Sequence, residues 1–349
     1  MSILAAVVSH PPEESVASGV EALSPALEQH PNFLEMLVSR LLASDHGLCA
    51  NSLQLINALM RDSFANGTDE EWELWVKKMK DLGAIKAVYA LMQGSGLQDL
   101  AGPLLDFQTL MKMLLRKWRE ISVDVDRAEH KRQMKVVYLA ANQERRRNKT
   151  EDVDGEVHPK NRDPEKWRRI GFETSHPAEE FAESGFLGLL DLTDYIRASE
   201  EAFRRLLLEQ ATMPTEQRCP VAKASSAVSV ILYDHFEIER SEVDQSHLSG
   251  GNFEKAFKPT LLQWPRLHTA GLQAFLRMWT ATSAQDEDFS KIEELVRILI
   301  EQVVGSAVRT QDISEVEQEL ANFDLRELRK LQMDLLELTH EDVWGQHLR

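Results

Sequence analysis

The chain has 349 residues and a mass of 39.8 kDa, enough for two or three domains, and its 43% hydrophobic content can fill cores of that size. A formal net charge of −17 and a pI near 5.2 argue against nucleic acid as a partner, because a duplex-binding surface must neutralise phosphates with Lys and Arg. The two cysteines, Cys49 and Cys219, stand far apart in no metal-ligand or redox spacing, which fits free thiols, and no uncharged apolar stretch approaches the roughly 20 residues that span a bilayer.

Residues 1–30 read as a disordered lead-in. The apolar run 3–8 lacks a preceding Lys or Arg, so it is not a signal peptide, and Pro11 and Pro12 follow it closely. From 31 to 145, short amphipathic units succeed one another, with breaks at Gly47, Asn66-Gly67, Gly83 and Gly94-Ser95-Gly96. Phe33, Leu34, Leu37, Val38, Leu41 and Leu42 make one unit, Leu53, Ile56, Leu59 and Met60 the next, and Ile85, Val88, Tyr89 and Met92 a third. Helices that cannot bury an apolar face alone stack on their neighbours, so an armadillo- or HEAT-like helical region is expected here, although no clean sequence period is visible. Leu104, Phe107, Met111, Leu114 and Trp118 step by three and four and predict one face of a longer helix.

A charge shift follows. Residues 116–149 hold eleven Lys and Arg against five acids, a local positive excess in an acidic chain. Arg116, Arg119, Lys131, Arg132, Arg145, Arg146 and Arg147 are candidate contacts for an acidic partner or an anionic membrane leaflet, to which clustered cations each contribute about 1 kcal/mol. The competing reading is the solvated outer face of a long helix. Residues 146–165 lose apolar content and carry Gly155, Pro159 and Pro164, the composition of a linker.

A second helical domain is expected over 166–340, with a tail at 341–349. Residues 227–236 are ambiguous: the β-branched Val228, Val230 and Ile231 suit a strand, but Leu232 and Phe236 complete an equally good helical stripe. Phe289, Ile292, Val296, Leu299 and Val303 form a clear helical face, as do Leu328, Leu331, Leu335 and Leu338. The fold class expected is therefore all-α. Neither Gly94-Ser95-Gly96 nor Gly250-Gly251-Asn252 ends in the Lys-Ser/Thr of a phosphate loop, and no nucleophile elbow is present. His340 and His347 lie too close to the chain end to read as a metal site, so no cofactor is expected.

Trp167-Arg168-Arg169-Ile170-Gly171-Phe172, then Pro177, Phe181 and Gly185-Phe186-Leu187-Gly188-Leu189-Leu190, resemble the opening signature of the ELMO (engulfment and cell motility) domain. Ala202-Phe203, Cys219-Pro220-Val221-Ala222-Lys223 and 289–298 after a Trp279-centred helix keep the family's order. On the residues alone, Trp167, Gly171, Phe172, Pro177, Phe181, Gly188, Cys219 and Pro220 read as structural: large apolar groups around a glycine that permits a tight turn.

The resemblance implies an armadillo-type region followed by an ELMO domain. It also implies a non-enzymatic cytoplasmic adaptor that joins DOCK-type exchange factors to Rho/Rac-family GTPases and acts in actin rearrangement, cell motility and uptake of apoptotic cells. The pattern departs from the longer members, whose N-terminal GTPase-binding domain and C-terminal pleckstrin-homology domain are not recognisable in these 349 residues. In smaller members an arginine follows the phenylalanine that aligns with Phe181, and the domain activates Arf-family GTPases. A guanidinium stabilises charge developing on a transferred phosphoryl group, and Ala182 cannot. Arg168, Arg169 and Arg197 read as solvated surface residues rather than substitutes. The adaptor reading is therefore preferred to the GTPase-activating one.

Overall fold

The computed structural model describes residues 29–30, 32–95, 99–147, 167–168, 171–174, 176–239 and 256–347; the side chains of 69–70, 141–147 and 338–347 are not described. The expected lead-in up to residue 28, the linker from 148 to 165, Arg169, Ile170 and the Gly250-Gly251-Asn252 turn lie outside the described residues. Among those residues the regular elements are helices and no strand occurs, so the expected all-α class holds.

The chain groups into two compact units. The first comprises Met1–Leu114, Ser241–Leu262 and Val308–Gln311. It begins with α1 (Phe33–Arg40), α2 (His46–Asn66), α3 (Asp69–Asp81) and α4 (Ala84–Gln93), each packed on its successor. Such neighbour-on-neighbour packing is what short amphipathic helices require. Gly47 is not a break, contrary to expectation. The interruption falls at 41–45, and Asp45 caps α2 by accepting from the Leu48 N–H at 3.1 Å. The α1 end is closed by the buried Cys49 thiol, which donates toward the carbonyls of Ala43 (3.3 Å) and Arg40 (3.4 Å). Thr68 and Glu71 form a capping box that starts α3 and sets Trp72 into the core with no exposed surface.

The division between units falls inside α5 (Ala101–Glu120), between Leu114 and Leu115. Of its predicted stripe, Leu104, Phe107, Met111 and Leu114 are buried and Trp118 is half-buried. In the first unit, Asn57 Nδ2 donates to the Pro103 carbonyl at 2.8 Å, tying α2 to the start of α5. Gln93 and Arg309 join α4 to the inserted 308–311 segment, Gln93 Nε2 donating to the Gln311 carbonyl and Arg309 to the Gly94 carbonyl, each at 2.9 Å.

The second unit comprises Leu115–Arg240, Gln263–Ala307 and Asp312–Arg349. It contains α6 (Ala128–Arg147), α7 (Gly185–Ala198), α8 (Glu200–Ala211), α9 (Val221–His235), α10 (Trp264–Ala281), α11 (Phe289–Ser306), α12 (Ile313–Ala321) and α13 (Leu325–His347). Residues 227–236 lie within or directly after α9, so the helical stripe wins over the β-branched run. The reason is burial on several sides: α7, α10 and α11 all pack against α9. The α11 stripe is buried throughout, whereas on α13 Leu328 is buried and Leu335 exposed. Composition placed residues 115–145 with the first region. In the structure Met134, Val137 and Ala140 of α6 are buried and α6 packs on α7, which puts that helix in the second unit.

Candidate functional site

The signature residues assemble around the entry to α7. Gly171 adopts φ +90°, and a Cβ there would lie 2.8 Å from Val221 Cβ. The open backbone lets the Gly171 carbonyl accept from the Ala222 N–H at 3.0 Å, docking the signature on the first turn of α9. Phe172 stands edge-on between Trp167 (5.2 Å between centroids) and Phe181 (6.1 Å), a geometry that aligns ring edges with ring faces. Phe172, Phe181, Pro177, Gly188, Cys219 and Pro220 are buried, and Trp167 is half-buried. Burial pushes the Cys219 thiol far above its ordinary range, so it is not a nucleophile. Lys223 of the same motif salt-bridges Glu173 at 2.8 Å and lies 4.5 Å from the Phe289 ring centroid.

The basic stretch divides into an inward and an outward group. Arg116 donates to the Ile238 carbonyl and lies 3.5 Å from Glu239. Arg119 donates to the Glu183 carbonyl at 3.0 Å and stacks 4.2 Å from the Tyr233 ring centroid. Both are thus held within the second unit. Lys131 and Arg132 stay exposed on α6, Arg132 pairing with Glu129 at 2.6 Å, whereas Arg145, Arg146 and Arg147 form the last turn of that helix and their side chains are not described. Arg168 is exposed, and Arg197 is exposed with hydrogen bonds to Gln133 (2.8 Å) and Asp194 (3.5 Å). Ala182 is exposed at the end of the turn Glu179–Phe181.

Two buried polar centres were not singled out by the sequence. Asp191 on α7 accepts from Ser229 Oγ at 2.7 Å and from Trp264 Nε1 at 2.9 Å. Burial raises its pKa, opposed by the charge of His268 and by those two donors. His268 Nε2 lies 3.0 Å from the Ser225 carbonyl, which requires the proton on Nε2, and its Nδ1 meets no hydrogen-bond partner among the described residues. Asp, Ser and His thus meet in one core. Ser225, Ser229 and His268 are at most 1% exposed, so this arrangement is closed to solvent and organises packing. The second centre is His130, fully buried and stacked 4.1 Å from Phe186. Its Nδ1 accepts from the Asp124 N–H at 2.9 Å, which fixes a neutral ring; burial first, then Arg127, lowers its pKa, while Asp124 and Glu129 oppose that shift.

The match of the sequence to known proteins falls mostly on the second unit. The model of the ELMO/CED-12 family matches residues 113–293, more than half of the chain. The chain belongs to the ELMO/CED-12 family. Engulfment and cell motility protein 3 of Bos taurus is 27% identical over 135 residues, and the human protein of that name is also 27% identical. The alignment covers 38% of this chain but only 20% and 18% of those two relatives, so it spans about a fifth of their length. The ELMO/CED-12 match begins within α5, which agrees with the placement of Arg116, Arg119 and α6 beside the signature residues. Among the described residues no helix is long and apolar enough to cross a membrane.

Proposed function

We propose that this ELMO/CED-12 chain is a non-enzymatic cytoplasmic adaptor in Rac-type GTPase signalling, working with DOCK-type exchange factors. Its output would be actin rearrangement, motility and engulfment of apoptotic cells. The observation that carries the reading is the family match over 113–293, mostly on the helical second unit, with Phe172, Pro177, Phe181, Gly188, Cys219 and Pro220 of the signature buried. Buried signature residues maintain a docking scaffold, and its outer helix faces are left for partners. The exposed Ala182 supports the adaptor over the GTPase-activating role, because a methyl group offers nothing to the charge on a transferred phosphoryl group. The names of the relatives, engulfment and cell motility proteins, point the same way. We place the armadillo-like stacking in the helices before α5 and the partner-facing ELMO surface after it.

The test is single-turnover phosphate release from GTP-loaded Arf-type and Rac-type GTPases, with and without the purified chain. The expected result is no change in rate. An acceleration of about 10³-fold, the scale an inserted arginine supplies, would overturn the reading.

A further inference from the structure

We propose that the outward face of α6, with Arg197 at the end of α7, is a docking surface for an anionic lipid bilayer. This goes beyond the scaffold reading and stands whichever protein partner the chain has. Once Arg116 and Arg119 are turned into carbonyls and rings of the second unit, the exposed cations on α6 among the described residues are Lys131, Arg132 and Lys135. Lys131 and Lys135 are one turn apart and share a face. A hydrogen-bonded chain fixes the rest of the row. Arg197 donates to Gln133 Oε1 at 2.8 Å, Gln133 Nε2 donates to Glu129 at 2.5 Å, and Glu129 holds Arg132 at 2.6 Å. Arg132 and Arg197, from different helices, are thereby linked before any ligand arrives; Glu129 and Asp194 balance these two, and Lys131 and Lys135 supply the excess positive charge.

The opposite face of α6 is committed to packing, through His130, Gln133, Met134, Val137 and Ala140. The helix cannot roll over to insert apolar residues, so attachment would be electrostatic and peripheral rather than by insertion. A line of cations along the outside of a helix suits a flat anionic surface better than a peptide, which would need a pocket for its side chains. In a chain of net charge −17 the acidic remainder is repelled by the same surface, so this row also sets the orientation of approach.

The experiment is co-sedimentation of the full chain with phosphatidylserine-containing vesicles and with pure phosphatidylcholine vesicles. The wild type is expected to bind only the former, and to release as salt shortens the Debye length from about 10 Å at 0.1 M to about 3 Å at 1 M. K131Q/R132Q/K135Q is expected to bind about a hundred-fold more weakly, at about five-fold per charge. The control K77Q/K78Q/K86Q removes equally exposed lysines from α3 and α4 and should bind as wild type. Helical circular dichroism checks that each variant is folded. Equal binding to both vesicles, undiminished binding by the α6 variant or equal loss in the control would overturn the proposal. So would capture of a soluble acidic peptide by the wild type with the vesicles left unbound.

Discussion

Replacing Asp191 by alanine tests whether the buried polar centre organises the second unit. The carboxylate accepts from Ser229 Oγ at 2.7 Å and from Trp264 Nε1 at 2.9 Å, and Asp191 is 4% exposed. D191A leaves the buried Trp264 Nε1–H without an acceptor, while Ser229 Oγ keeps the Ser225 carbonyl 3.1 Å away, so a loss of about 1–3 kcal/mol is expected. For a unit of this size that corresponds to a fall in Tm on the order of 5 °C. D191N distinguishes the hydrogen bonds from the charge. Its Oδ1 can accept from Trp264 while Nδ2 donates to Ser229 Oγ, which then turns its own proton to the Ser225 carbonyl, 3.1 Å away. The asparagine variant should therefore stay within about 1 kcal/mol of wild type at neutral pH. Because burial raises the Asp191 pKa, the folded carboxyl protonates before the unfolded one as the pH falls. Wild type should thus gain on D191N between neutrality and the ordinary carboxylate value. Thermal unfolding followed by circular dichroism decides it: a D191A midpoint within about 2 °C of wild type would refute the reasoning.

Two further substitutions probe the frame around the signature. Gly185 has φ +59° and a Cβ there would sit 1.9 Å from the Arg119 carbonyl oxygen, so G185A should separate α7 from the end of α5 and leave the chain insoluble or strongly destabilised in thermal melts. His130 is held neutral in the fold with its pKa depressed, so the unfolded state binds more protons below the ordinary histidine value of about 6.5, and stability should fall as pH drops through that region. H130Q should flatten this slope in denaturant titrations carried out at several pH values, at some loss of stability from the broken stack on Phe186.

The helices were legible because burial imposes a period. The apolar stripes of α5 and α11 point inward as spaced, and the β-branched residues of α9 stay helical because neighbours cover them on several sides. The boundary at Gly47 was misread since the start of a helix depends on a capping side chain, here Asp45, more than on a nearby glycine. The charge of the basic stretch was visible but its direction was not: Arg116 and Arg119 meet carbonyls 122 and 64 residues downstream. The Asp191 centre was equally hidden, its donors arriving from 38 and 73 residues away on helices whose sequences read as ordinary core. A lone acid in an apolar stripe and a serine-rich helix face were the only traces, and neither is informative until the other is beside it.

Calorimetric titration of the purified chain into a DOCK-type exchange factor puts the adaptor claim to its most direct trial. Saturable one-to-one binding that survives D191N is the outcome expected of a folded docking scaffold. Heat of dilution alone, under conditions where the chain is folded, would contradict it.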